Sequence, residues 1–303
     1  MAPVEQSVLG PEPRVRVRGR MKPTVSHVQT SDGVKLALHR FSGEARQECP
    51  ILLTHGTFSN GQVCAKLAEY LAEHGFDCWV LELRGHGQSE RGNVNADFER
   101  LAVFDVQAGF QGILQATGKE QVFLVAHSGG GLVFLMYLAR NPEARRRVRG
   151  LVTLGSQATE AAATLRGKVS ATRIMLINNL AGPARRRLLG LGPEDEFQGI
   201  VNQWFRWNWR RRWLGNDGFD YLEAAKSIAI PTLCFAGAGD RYIAPVPGCR
   251  RIYEALGAHD KQFVVCGRAS GFSEDYDHAR IIASRPAREE IWPRILDWLL
   301  QRG

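Results

Sequence analysis

Hydrophobic and polar positions change period repeatedly along this chain, and the changes mark out its elements. "TVSHVQT" and "VKLALHRF" have strand character and flank "SDG", which predicts a β-hairpin closed by a tight turn. "PILLTHG" is continuously apolar, as expected of a strand covered on both faces. "GQVCAKLAEYLAEHG" carries Val63, Leu67, Tyr70 and Leu71 at helical spacing and ends in Gly75, a predicted C-cap. Next come the strand "FDCWVLEL", the loop "RGHGQSE", a helix through "ADFERLAVFDVQAGFQGILQATG" and the strand "QVFLVA". A glycine-rich corner follows, then the helix "GLVFLMYLARN" and the strand "VRGLVTLGS". Beyond a long irregular region lie "IPTLCFAGAGD", a helix near 247–256, the strand "KQFVVCG" and a last helix through "AREEIWPRILDWLLQ".

Such alternation predicts right-handed βαβ units and an α/β fold with a mostly parallel sheet under helices. Residues 157–227 interrupt it, with two arginine runs, four of the seven tryptophans and nothing that reads as a buried parallel strand. The expected organisation is therefore a loose basic arm over 1–22, an α/β core over 23–156 and 228–303, and an inserted helical cap over 157–227. No internal repeat is visible.

Composition narrows the function classes. The 303 residues are 44% hydrophobic and 23% charged, the balance of a globular protein. No apolar run reaches the ~20 residues of a membrane span. "MAPVEQSVLGPEPRVRVRGRMKP" has no apolar stretch followed by a small-residue cleavage site and does not read as a signal peptide. Six cysteines stand singly, without C-x-x-C spacing, which suggests neither zinc nor a disulfide framework. Mostly buried thiols and a reducing, cytoplasmic setting are expected. The net charge of +8 goes with clustered arginine: "RVRVRGR" near the start, "RRRVR" at 145–149, "RRR" at 185–187 and "RWNWRRRW" at 206–213. No nucleic-acid reading element accompanies them, so a solvated or membrane-facing basic surface is expected instead.

In an open α/β sheet, functional groups gather beyond the carboxyl ends of the strands. "VFLVAHSGGGLVFLMYLAR" places Ser128 between an apolar strand and an apolar helix, with Ala126 and Gly130 two residues away on either side. A sharp strand-to-helix turn needs small residues there and lifts the hydroxyl above the sheet, which an ordinary βα loop does not. A serine hydroxyl requires a base, and the base an orienting carboxylate. Asp240 is the first acid after "PTLCFAG". Of eight histidines, only His278 follows the last core strand and lies downstream of Asp240, whereas His259 precedes a strand. His55, His86 and His127 belong to glycine-adjacent turns. Acyl transfer also needs donors for a developing oxyanion. The Gly129 N–H is one, and the loop after "ILLTHG" offers Thr57, with Phe58 second.

"LLTHGTFSN", "CWVLELRGHGQS", "LVAHSGGG", "PTLCFAGAGD" and "DYDHARII", in this order, resemble the α/β-hydrolase superfamily, and within it the esterase, lipase and monoacylglycerol-lipase-like members. The likeness covers roughly residues 25–302 apart from the cap. It implies an eight-stranded, mostly parallel sheet flanked by helices, with a cap between strands six and seven, and two-step ester hydrolysis through an acyl-enzyme. Two departures stand out. Ala126 replaces the usual first glycine of the nucleophile turn, and "GRASGFSEDYD" lengthens the gap between Asp240 and His278.

On a helix, Phe197, Ile200, Val201, Trp204 and Trp207 of "EFQGIVNQWFRWNWRRRWL" share a face, with Arg206 and Arg210 turned away. That face either roofs the site or touches a lipid surface. Phe58, His127, Trp204 and Trp207 are the candidates for substrate contact. The expected substrate is a small, lipid-like ester with an apolar acyl side. Neither a metal nor an organic cofactor is expected, nor a nucleic-acid partner; peripheral contact with a membrane stays open. The rivals are a thioesterase or acyltransferase with the same three residues, and a hydrolase-like protein that binds lipid or a partner without catalysis.

Overall fold

The computed structural model describes residues 21–180 and 192–303. The arginine run at 185–187 and all but the last two residues of the basic arm lie outside them. An eight-stranded sheet runs through the molecule in the order β1-β2-β4-β3-β5-β6-β7-β8. Its strands are β1 (Thr24–Gln29), β2 (Lys35–Phe41), β3 (Ile51–Thr54), β4 (Cys78–Leu81), β5 (Val122–His127), β6 (Val148–Leu154), β7 (Thr232–Gly237) and β8 (Lys261–Cys266). Only β2 runs against its neighbours, and every pairing from β4 to β8 is parallel.

The continuous apolar runs make sense in this sheet because both faces are covered. Leu52 and Leu124 point into one core layer, beneath α3 (Gln107–Thr117) and α4 (Gly129–Arg140). Leu53 and Val125, the next residues along, point into the other, beneath α1 (Gln62–Glu73) and the C-terminal helices. Alternate side chains of one strand thus enter opposite cores, and each strand must be apolar throughout. Helix α4 is central, with Gly129 through Leu138 all buried.

Two predicted helices are interrupted. The stretch from 96 begins as a short turn, α2 (Phe98–Arg100), widens into a π-helical segment over Leu101–Val106, and only then becomes α3. The extra residue of a π turn changes which side chains face the core. Here Asp105 is fully buried against Arg84, with hydrogen bonds from Arg84 Nε at 2.7 Å and from the Arg84 N–H at 2.8 Å. The last helix divides into α11 (Arg285–Glu290) and α12 (Trp292–Leu300), because Pro293 has no N–H to give and fits only in a first turn.

Between β6 and β7 the described residues form α6 (Leu165–Leu180), α7 (Gln198–Arg210) and the short α8 (Tyr221–Ala224), with no strand beyond a single bridge between Leu214 and Asp220. On α7 the predicted face is real: Phe197, Ile200, Val201 and Trp207 are buried, while Arg206 and Arg210 are exposed. No helix among the described residues is long and apolar enough to cross a membrane. Five of the six free cysteines are buried and Cys49 is half-buried. The remaining α-helices among the described residues are α5 (Pro142–Arg146), α9 (Val246–Ala255) and α10 (Arg280–Ala283).

Candidate active site

Ser128 sits at the turn between β5 and α4 with φ 55° and ψ −125°, a conformation that side-chain-bearing residues seldom adopt. The turn is held from three sides. Ser128 N–H donates to Leu154 O at 2.8 Å, and Ser128 O accepts from Gly131 N–H at 3.0 Å and from Ser156 Oγ at 2.8 Å. A side chain at Gly130 would bring its Cβ within 2.5 Å of His55 O, so the β3 and β5 loops approach as closely as they do only because that residue is glycine.

Three side chains from three strand ends meet here. Ser128 Oγ lies 2.8 Å from His278 Nε2, and His278 Nδ1 lies 2.5 Å from Asp240 Oδ2. The carboxylate can only accept, so the imidazole proton belongs on Nδ1 and the Nε2 lone pair faces the serine hydroxyl. Asp240 Oδ1 accepts N–H groups from Ile243 at 3.1 Å and Ala244 at 3.0 Å. Burial opposes ionisation of Asp240, but His278 and these two N–H groups outweigh it and hold the carboxyl below its ordinary range. The loop carrying His278 is pinned by Gly239 N–H on Tyr276 O at 2.9 Å and by His127 Nε2 on the His278 carbonyl at 2.8 Å.

His127 therefore supports the main chain and does not line the cleft. Its other ring nitrogen is buried and lacks a partner among the described residues. Burial, with the neighbouring His278 adding to it, pushes its pKa down to about 3. His55 is likewise committed to main chain, Nδ1–H donating to Gly56 O at 2.8 Å and Nε2 accepting from Leu83 N–H at 3.1 Å. Burial and then the charge on His86 lower its pKa to about 4.

Above Ser128 opens a cleft enclosing about 650 Å³, its mouth included. Thr57, Ser128, Gly129, Gln157 and His278 supply its polar wall. Phe58, Phe98, Leu132, Ile174, Ile200, Val201, Trp204 and Ile243 supply the apolar one, so α6 and α7 do roof the serine. Of the four residues expected at the substrate, Phe58 and Trp204 line this cleft; His127 and Trp207 do not. Trp207 is buried between the cap and the core, its ring 5.0 Å from Phe98 and 6.2 Å from Trp213, and its Nε1 donates to Leu214 O at 2.6 Å. A helical face of five residues is wide enough to contact two neighbours, and Trp207 falls on the core side.

The loop after β3 brings Thr57 against Gly129: a Cβ built on Gly129 would lie 3.4 Å from the Thr57 nitrogen. Phe58, the second candidate donor, has its N–H on Glu196 Oε2 at 3.0 Å. Glu196 is a buried acid in the segment leading into α7, with His86 Nε2 3.4 Å away. Burial opposes its charge, but the His86 charge and the N–H groups of Phe197 and Phe58 hold the carboxyl below its ordinary value. His86 in turn is raised, because Glu196 more than offsets its burial. Nothing in the sequence pattern singles out Glu196; the glycines on either side of His86 are a local hint that this corner is structured.

The sheet order, its parallel strands and the covering helices define the fold: the chain has the α/β-hydrolase fold. A family model described as alpha/beta hydrolase fold matches residues 50–187. Among curated proteins, the chain is similar to the lysosomal acid lipase/cholesteryl ester hydrolase of Homo sapiens, 28% identical over 158 residues. That match covers 45% of this chain and 40% of the relative, so the chain aligns with only about two fifths of the relative's length. Two solved structures share the fold. A thermophilic esterase from Thermogutta terrifontis superposes with a TM-score of 0.65 at 20% identity, covering 92% of this chain and 98% of its own. The monoacylglycerol lipase of Paleococcus ferrophilus gives 0.62 at 20% identity, over 88% and 99%.

Proposed function

We propose that the protein is a serine hydrolase that cleaves carboxylic esters bearing an apolar acyl group. The observation that carries this reading is the unbroken chain from Ser128 Oγ through His278 to Asp240, at 2.8 and 2.5 Å, on the floor of an apolar cleft. Ser128 Oγ attacks the ester carbonyl while His278 Nε2 takes its proton. Asp240 keeps the imidazole oriented and stabilises the imidazolium. The N–H groups of Thr57 and Gly129 hold the oxyanion. His278 then protonates the departing alcohol, leaving an acyl group on Ser128. Water, deprotonated by His278, attacks the acyl-enzyme; collapse of the second oxyanion releases the acid and returns the proton to Ser128. The similar proteins are lipases and esterases, which supports the same reaction class.

The apolar wall, with Phe58 and Trp204, supports an acyl chain in the cleft and the ester at Ser128. On α6, Leu165, Val169 and Leu176 are exposed beside Lys168, Arg173 and Trp209, which supports peripheral contact between the cap and a lipid surface. The unpaired thiols support a reducing, cytoplasmic setting. A series of p-nitrophenyl esters of increasing acyl length tests the reading. Turnover by the intact protein that Ser128→Ala abolishes is expected, with a preference for acyl chains over acetate. Turnover equal in both proteins overturns it.

A further inference from the structure

Phe58 is one of three described non-glycine residues with positive φ, at 57°. An L side chain at that angle crowds its own backbone, so something must hold it there. The segment that leads into α7 grips this residue at both ends. Glu196 Oε2 accepts the Phe58 N–H at 3.0 Å, and the Glu194 N–H donates to Phe58 O at 3.1 Å. Asn60 Nδ2 adds a bond to Glu194 Oε1 at 2.6 Å, and a Cβ on Gly192 would lie 2.0 Å from Phe58 O. The contact is thus tight, partly buried and made on the hydrolase side by the Phe58 main chain and the Asn60 side chain.

The easiest relaxation of a residue at this φ is a flip of the peptide before it, which changes ψ of Thr57 and φ of Phe58 together. A flip would turn the Thr57 carbonyl toward the place where the Phe58 N–H now points. Glu196 occupies that place with an oxygen, and two acceptors repel. The same loop carries the Thr57 N–H beside Gly129, so its shape decides whether that donor faces the reacting carbonyl.

Resting on the hydrolase reading above, we infer that Glu196 is a positioning residue: by accepting the Phe58 N–H it locks the Thr57–Phe58 peptide, and through the shared Thr57 Cα it restrains the adjoining Gly56–Thr57 peptide whose N–H serves the oxyanion hole. Glu196 does not touch substrate in this scheme. It acts through the loop, and it makes the donor geometry depend on how the cap segment sits on the core.

The test compares Glu196→Met, which keeps the length and removes the acceptor, with Glu196→Gln, which keeps one acceptor oxygen. Hydrolysis of a p-nitrophenyl ester is measured per site titrated with a fluorophosphonate, so that unfolded protein is not counted. Misplacing an oxyanion donor costs on the order of 10–100-fold in rate. Glu196→Met is expected to lose that much in kcat with KM within about threefold, while Glu196→Gln keeps about a third or more of kcat. In a Phe58→Gly background, where positive φ costs little, the Glu196→Met loss should shrink to about threefold or less. The inference is overturned if Glu196→Met keeps wild-type kcat, if Gln and Met lose kcat equally, if KM alone changes, or if the loss is undiminished beside Phe58→Gly. Ser128→Ala separates the two levels: activity that survives it sinks the hydrolase reading, whereas these outcomes with an inactive Ser128→Ala sink only the role of Glu196.

Discussion

His127 makes the chain sensitive to acid in a way that can be isolated. Its pKa falls to about 3 in the folded protein, chiefly through burial, against ~6.5 for a solvated histidine. The folded value is depressed, so the unfolded chain binds a proton that the folded chain refuses, and stability is lost as pH falls below ~6.5. Between about pH 6.5 and pH 5 the unfolded histidine goes from half to nearly full protonation while His127 stays neutral when folded, a loss of about 1.5 kcal/mol. Other groups shift over the same range: His55 adds a similar loss, while Asp105, pushed up to about 6 by burial, works in the opposite direction. Comparison with His127→Gln cancels them. The glutamine amide can still donate to the His278 carbonyl that His127 Nε2 now holds at 2.8 Å. Urea unfolding at the two pH values should show the wild type losing about 1.5 kcal/mol more than the variant. Parallel losses would refute the assignment of a buried, neutral His127.

Two further expectations concern the framework. Asp105→Ala removes the acid against which Arg84 is buried, with Arg84 Nη2 2.6 Å from Asp105 Oδ1 and no exposure of either side chain, leaving Asp32, its side chain 18% exposed, as the acid paired with Arg84; urea unfolding should register about 3–5 kcal/mol, and a loss under ~1 kcal/mol would contradict it. Gly56→Ala places a Cβ 2.5 Å from Ser128 Cβ and 2.9 Å from Ser128 Oγ. Overpacking of this kind costs about 1–3 kcal/mol and should slow fluorophosphonate labelling at least about tenfold, and an unchanged labelling rate would mean that the serine turn yields freely.

The sheet and the three meeting side chains were legible because each leaves a local mark. Buried parallel strands write themselves as "ILLT" or "VFLVA", and the carboxyl-end rule turns strand ends into a short list of loops. His278 emerged from its place after β8, although the residues it meets lie 150 and 38 positions away. Glu196 left no such mark. Its contact with Phe58 spans 138 residues, and an acid in "PEDEF" reads as solvated cap surface unless the burial is seen. Trp207 shows the limit of periodicity: spacing says that it shares a face with Trp204, not that one of them faces the cleft and the other the core. The broken C-terminal helix could have been anticipated from Pro293. The π segment could not, since nothing in the pattern around Asp105 marks it and the buried partner of that acid, Arg84, lies 21 residues away.

The central claim is that Ser128 is a nucleophile activated by His278. Incubation with a fluorophosphonate probe, followed by mass spectrometry of the digested protein, tests it most directly. One equivalent of label on Ser128, absent from Ser128→Ala and greatly slowed in His278→Ala but not in His259→Ala, is the expected result. A wild-type protein that takes no label, or label that persists in Ser128→Ala, would contradict it.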